Sequence, residues 1–183
     1  MTQVDAAAPS VGIRPARPDD AQRLHALATQ VFLETYATDG ISEALAQEVE
    51  AQCSRAVFER DLADPRMHLV VAERSDHLLA YAHLVVGTGH ARVPGPATSE
   101  LLRLYVQSPA LRHGLGTRLL QHAERRAAEA GSRTLWLTAW VGNARARAFY
   151  VACAYRDLGA TDHAFGGRHV ENRLYARRLD LAR

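Results

Sequence analysis

Hydrophobic positions along the chain change period from two to about 3.6 and back, which predicts alternating strands and helices. The clearest segment is ELLRLYVQSPALRHGLG, residues 100–116. An apolar strand over 101–106 is broken by Ser108 and Pro109, then comes a turn bearing Gly114 and Gly116. A helix follows, with Leu115, Leu119, Leu120, Ala123 and Ala127 on one face and Gly131 as its stop. Upstream, 12–16 (GIRPA) predicts a short edge strand, since Pro15 suits only a strand edge or end. Asp19 and Asp20 are expected to cap a helix carrying Leu24, Leu27, Ala28, Val31 and Phe32. One further helical region, capped by Ser42, is expected over 42–62 and ends at Asp64-Pro65. Residues 68–73 and 78–86 flank a polar turn and predict a hairpin, and 87–98 is a Gly- and Pro-containing loop. Downstream, 134–140 (TLWLTAW) predicts a buried strand, and Gly142-Asn143 start a helix carrying Ala144, Ala148, Phe149, Val151 and Ala152. Strands around 155–160 and over 169–179 complete the chain, the last with Val170, Asn172, Leu174 and Ala176 on one face.

The resulting order, β-α-α-β-β-β-α-β-α-β-β, predicts a mixed α/β (α+β) sheet with a parallel pair joined by a right-handed crossover. With 183 residues, 48% of them hydrophobic, the chain can bury one core, so a single domain is expected over 12–183 behind a disordered lead-in over 1–11. That lead-in carries acid and proline without a basic start, so no signal peptide is expected, and no apolar run approaches membrane length. Cys53 and Cys153 form no redox or metal motif, which suits a reducing cytoplasm, and the nine histidines do not cluster, so no metal site is expected. There is no lysine. Residues 1–100 carry 8 arginines against 14 acidic residues, whereas residues 101–183 carry 14 against 6. A basic second half suits a phosphorylated ligand and an acidic first half a cationic one, although plain surface solvation produces the same distribution. Nothing points to nucleic acid as a partner.

A strand that feeds a glycine turn opening a helix is suited to phosphate. The glycines admit close approach, free N–H groups face outward, and the helix N-terminus adds partial positive charge. LRLYV followed by RHGLGTRLL, then Asn143-Ala-Arg-Ala-Arg-Ala-Phe149-Tyr150, then the terminal strand pair together resemble the GNAT superfamily of acyl-CoA-dependent N-acetyltransferases. The resemblance runs from about residue 12 to residue 180. It implies a mixed central sheet with a splayed parallel strand pair and flanking helices, and acetyl-CoA as co-substrate. By position it implies that Leu104, Tyr105 and Val106 pair with pantetheine. Leu111, Arg112, His113, Gly114, Leu115, Gly116 and Thr117 would form the pyrophosphate loop. Leu111 departs from the family's Gln or Arg, a loss that backbone N–H groups, Arg112 or Arg118 can cover. Ala154-Tyr155 replaces the family's Gly-Phe. Asn143 would reach the pantetheine or thioester, and Tyr150 would protonate the departing thiolate.

The resemblance leaves the base open. Glu100 begins the central strand where some histone-modifying relatives place a glutamate, and alternation puts it on one face with Leu102, Leu104 and Val106. It is either that base, acting through water, or an exposed strand-end carboxylate. Thr138 stands where ribosomal-protein N-terminal acetyltransferases carry a glutamate, which argues against that subgroup. Phe32-Leu-Glu-Thr-Tyr36, ELLRLYV, WLTAW, NARARAFY and Phe165-Gly166 resemble the PaiA-type polyamine N-acetyltransferases. That likeness implies a small-molecule amine as partner, with Phe32 and Tyr36 lining its groove and Glu34 and Asp39 nearby; helix packing is the plain alternative for both rings. Trp136 and Trp140 read as core or interface, and they and the last strand leave room for a homodimer without requiring one. A protein-amine acetyltransferase and a catalytically silent acyl-CoA-binding module remain as alternatives.

Overall fold

The computed structural model describes residues 10–165 and 168–179; the expected lead-in as far as residue 9, and Gly166 of the Phe165-Gly166 pair, lie outside the described residues. One mixed sheet contains β1 (Gly12–Pro15), β2 (Met67–Arg74), β3 (His77–Val86), β4 (Thr98–Val106), β5 (Thr134–Trp140), β6 (Arg156–Phe165) and β7 (Arg168–Arg178), in the order β1-β2-β3-β4-β5-β7-β6. The helices are α1 (Ala21–Tyr36), α2 (Glu43–Cys53), α3 (Arg55–Ala63), α4 (Leu115–Glu129) and α5 (Ala144–Ala152). Every neighbouring pair is antiparallel except β4 and β5, which are parallel. β1 is an edge strand, where Pro15 removes no needed donor. The β2–β3 hairpin turns through Ser75 and Asp76, both left-handed (φ 47° and 65°), the two-residue geometry whose twist matches the strands.

Both faces of the sheet are covered. On one, Ala80, Ala82, Leu84, Leu101, Leu135 and Leu137 pack under Leu115, Leu119, Leu120, Ala123 and Ala127 of α4, the same five residues that the helical period marks. On the other, Val71, Leu78 and Tyr81 pack under Leu24, Leu27, Ala28 and Phe32 of α1 and Phe58 of α3. α4 ends with Gly131 at φ 85°, its following N–H returning from Ser132 to the Ala127 carbonyl at 2.9 Å.

Four expectations are corrected. The region over 42–62 is two helices, because Ser54 is extended (ψ 154°) and breaks the ladder. His25 Nδ1 lies 2.8 Å from the carbonyl of Cys53 freed by that break, and α3 is re-aimed so that Val57, Phe58 and Asp61 turn inward. Asp20 does not cap α1; its Oδ2 accepts the Arg17 N–H at 2.7 Å and its carboxylate pairs with Arg14 and Arg23. α5 packs through Ala146, Phe149, Tyr150 and Cys153, whereas Ala144, Ala148, Val151 and Ala152 face solvent. The alanines are apolar all round, so the large rings decide the phase. The strand expected around 155–160 continues to Phe165.

Tyr150 is held by the end of its own helix. The Tyr155 N–H donates to the Tyr150 carbonyl and the Ala154 N–H to that of Val151, both at 3.0 Å, and the Tyr150 and Tyr155 rings meet at 5.8 Å. This places Ala154 in the left-handed region, φ 63°, which favours glycine. Ala154→Gly is therefore expected to stabilise the fold by about 1 kcal/mol, read as a raised urea midpoint at constant m-value.

Asp20 ties β1, α1 and β2 together. Only 1% exposed, it accepts from Arg14 at 2.7 and 3.0 Å and from Arg23, and both arginines also bind Glu73. Burial raises the Asp20 carboxyl, but hydrogen bonds from Arg14, the Arg17 N–H and Arg23 outweigh it and bring it from 3.8 to about 2. Its stabilising contribution is thus present above about pH 4 and lost as pH falls towards 2. Asp20→Ala removes the buried partner of two arginines, which keep Glu73, and should cost about 2 kcal/mol at pH 7 in chemical denaturation, with the deficit shrinking at pH 2.

Candidate active site

The parallel pairing of β4 with β5 covers only Thr98, Ser99 and Glu100 against Thr134, Leu135 and Trp136. Beyond Glu100 the two strands part, while β4 stays paired with β3 as far as Val106. From Leu101 onward β4 therefore turns an edge without a strand partner towards the gap. α4 and α5 stand on one side of this gap, and their N-termini follow β4 and β5 respectively.

A cleft of about 470 Å³ occupies that side. It is lined by Leu104, Tyr105, Val106, Leu111, Arg112, Gly114, Leu115, Gly116, Thr117, Asn143, Tyr150 and Tyr36 among others, so most residues singled out in the sequence meet in one place. Arg112 and Gly114 are both left-handed (φ 65° and 72°), and Gly114 starts α4 without any side-chain cap. The first helical bond there is from the Arg118 N–H to the Gly114 carbonyl, at 3.0 Å. The N–H groups of residues 112–117 find no acceptor among the described residues. Six consecutive free donors at a helix N-terminus form an anion cradle. Arg112 and Arg145 line the same cleft, whereas Arg118 donates to the Val11 carbonyl at 3.1 Å. His113 contributes backbone to the loop, but its exposed side chain does not line the cleft.

Asn143 lines the cleft, though its side-chain oxygen is spent capping α5 by accepting the Ala146 N–H at 3.0 Å. Tyr150 is 8% exposed, and its hydroxyl makes no hydrogen bond among the described residues. Burial, with smaller contributions from Cys153 and Tyr36, pushes its phenol well above the usual range, so it stays protonated at neutral pH. Phe149 packs at the turn, where a Cβ on Gly116 would lie 3.5 Å from its ring.

A second cavity, about 200 Å³, opens on the opposite face of the sheet. It meets the first at the splay, because Tyr36 and Tyr105 line both. Its aromatic wall is Phe32, Tyr36, Trp140 and Phe165, with Tyr36 4.7 Å from Phe32 and 5.5 Å from both others. Phe32 is thus both packed in the core and part of this wall. Trp140, expected as core or interface, lines the cavity, while Trp136 is buried and donates to the Thr88 carbonyl at 3.3 Å. Glu34 lines neither cavity; its carboxylate accepts from Gln30 and Ser108.

The Glu100 expectation needs a correction of face. β4 carries a bulge: Leu84 pairs with Leu101 and His83 with Arg103, leaving Leu102 unpaired. The extra residue reverses the alternation. Glu100 shares its face with Arg103 and Tyr105, opposite to Leu104 and Val106. It sits at the vertex of the splay, across from Trp136, and lines neither of the two cavities. Burial raises its carboxyl to about 7, and no side-chain partner is present among the described residues. Arg103 and Gln52, which line the second cavity, escaped the sequence reading, and Thr138 and Asn172, which also line it, entered that reading only as strand positions. For Arg103 the cause is the bulge, which period-two counting does not anticipate.

The acetyltransferase (GNAT) family model matches residues 21–155, well over half of the chain. An uncharacterized N-acetyltransferase of Mycobacterium tuberculosis is 27% identical over 160 residues, covering 87% of this chain and 98% of that protein. The structure of the PaiA N-acetyltransferase of Thermoplasma acidophilum, in complex with coenzyme A, superposes with a TM-score of 0.71 at 19% identity, over 92% of this chain and 99% of that one. A Salmonella typhimurium structure with its cofactor acetyl-CoA gives 0.66 at 17% identity, over 95% and 96%. The splayed parallel pair, the uncapped loop before α4 and the extent of the family match together place this chain in the acetyltransferase (GNAT) family.

Proposed function

We propose that the protein transfers the acetyl group of acetyl-CoA to the primary amine of a small molecule, by direct attack while both are bound. The observation that carries this reading is the convergence on one cleft of an unpartnered β4 edge, six free loop N–H groups and a protonated tyrosine. Each answers a different part of the donor. The loop suits the pyrophosphate, the β4 edge suits the amides of the pantetheine arm, and Tyr150 suits the sulfur. Structures of relatives with coenzyme A or acetyl-CoA support the same assignment. In this reading a free N–H of β4 stabilises the oxyanion that forms on the thioester carbonyl, and Tyr150 gives its proton to the departing thiolate. Glu100, through water, takes the proton from the attacking amine; its burial at the splay vertex and its lack of a partner support that role. A protein-amine acceptor is less well served, since the second cavity is about 200 Å³ and walled by rings. The PaiA likeness favours a polyamine, but no carboxylate lines the second cavity among the described residues; Asp39 lines an adjoining hollow that shares Tyr36, Thr38 and Phe165 with it.

A thiol-release screen with acetyl-CoA across polyamines, amino acids, aminoglycosides and peptides tests the activity; coenzyme binding by calorimetry without thiol release from any amine would make the chain a silent binding module. Tyr150→Phe should lower kcat about a hundredfold while coenzyme Kd stays within about twofold. Unchanged turnover would remove Tyr150 from the mechanism. A base is active when deprotonated, so kcat/KM should rise with pH through about 7, matching Glu100. Glu100→Gln should lower kcat/KM and flatten that limb. If the limb persists in Glu100→Gln, it belongs to another group.

A further inference from the structure

The second cavity holds one arginine and, among the described residues, no carboxylate. The Arg103 guanidinium donates from Nη2 to Gln52 Oε1 at 3.2 Å, and its Nη1 lies 3.5 Å from His83 Nδ1. Gln52 is neutral, and so is His83, because burial and the charges of Arg103 and Arg60 hold its imidazole down at about 3. Arg103 enters no ion pair among the described residues. A carboxylate whose charge reaches it, Asp61, is turned to Arg60 at 2.8 and 3.0 Å and stands behind His83, 3.7 Å from Nε2. An arginine offers five N–H donors in a planar fork, and these two neutral partners engage only two. A largely buried cation without a direct counter-ion, facing a cavity, is costly until an anion arrives.

A second group in the same cavity is also incomplete. Asn172 is 6% exposed; its Nδ2 donates to Thr138 Oγ1 at 3.4 Å, and its Oδ1, itself closed off from solvent, has no partner among the described residues. The cavity therefore offers cationic donors at Arg103, and it joins the first cleft at Tyr36 and Tyr105.

From this arrangement we infer that Arg103 is the counter-ion of the acceptor, whose substrate class is a small amine that also carries a carboxylate. The inference rests on the acetyl-transfer reading above. The carboxylate lies on the guanidinium fork, and the amine end points past Tyr105 to the thioester. The amine nitrogen bonds to the acetyl carbon as the carbon–sulfur bond breaks. Of the two protons the ammonium gives up, one ends on the coenzyme thiol and the other passes to water. A polycation would instead meet Arg103 with like charge.

The test compares amino acids with their carboxamides, and with putrescine and spermidine, by thiol release from acetyl-CoA. Carboxylate-bearing amines should show kcat/KM at least about tenfold above their carboxamides, as expected for charge-assisted bonds. Arg103→Gln should erase that difference by lowering the acid only, Arg103→Lys should restore part of it, and all three proteins should bind coenzyme A equally in calorimetry. Preference for a carboxylate-free amine, or an equal loss of acid and amide in Arg103→Gln, would overturn the inference. Thiol release from no amine counts against acetyl transfer itself. In that case the binding of N-acetylated amino acids beside coenzyme A still decides: equal Kd for wild type and Arg103→Gln sinks the carboxylate site.

Discussion

Every functional feature of this chain depends on β4 and β5 ceasing to pair after Glu100. A parallel pair buried under helices normally satisfies its backbone along its whole length. Here only three residue pairs do so, and the remaining β4 edge is held open by what packs around it. β3 anchors its far side to Val106, α4 covers one face through Leu115 and Leu119, and α1 covers the other through Phe32 and Tyr36. The open edge persists because its neighbours are anchored elsewhere, and it is the surface on which an amide-bearing chain can add as a strand.

The bulge at Leu102 is the second constraint. It lets β4 serve two cores of different chemistry. Leu101, Leu104 and Val106 face the layer under α4, and Glu100, Arg103 and Tyr105 face the side under α1 and α2, where the second cavity opens. Without the extra residue Glu100 and Arg103 would lie on opposite faces. With it, Glu100, Arg103 and Tyr105 of β4 sit together on the side of the second cavity, and the larger cleft keeps backbone, loop N–H groups, apolar side chains, Arg112, Arg145 and Tyr150.

Charge is distributed to match. The basic second half of the sequence supplies Arg112 and Arg145 at the anion cradle, and Arg103 lies across the splay. The carboxylates of the first half do not line the second cavity among the described residues: Asp20 and Glu73 are absorbed by Arg14 and Arg23, and Glu34 by Gln30 and Ser108. Net charge by halves thus matches the arginines at the loop before α4 and says little about the second cavity, since paired carboxylates exert little field at a distance.

Local chemistry was legible wherever a residue's own neighbours in sequence determine its environment. The face of α4 follows from helical period, its stop from Gly131, and the cradle from the glycine turn and the absent cap. The α5 motif carries Tyr150 to the cleft because four residues make nearly one helical turn. Other features belong to the tertiary structure alone. The break at Ser54 depends on what α3 must bury, and the packing face of α5 on which rings find partners. The bulge at Leu102 depends on the register that β3 and its helices impose. So does Arg103: its sequence neighbours are apolar, and only the shifted register turns it into a cavity where it has no counter-ion among the described residues. Periodicity is a property of one segment, whereas a one-residue change of register is settled between segments, by which side chains the two cores can accept.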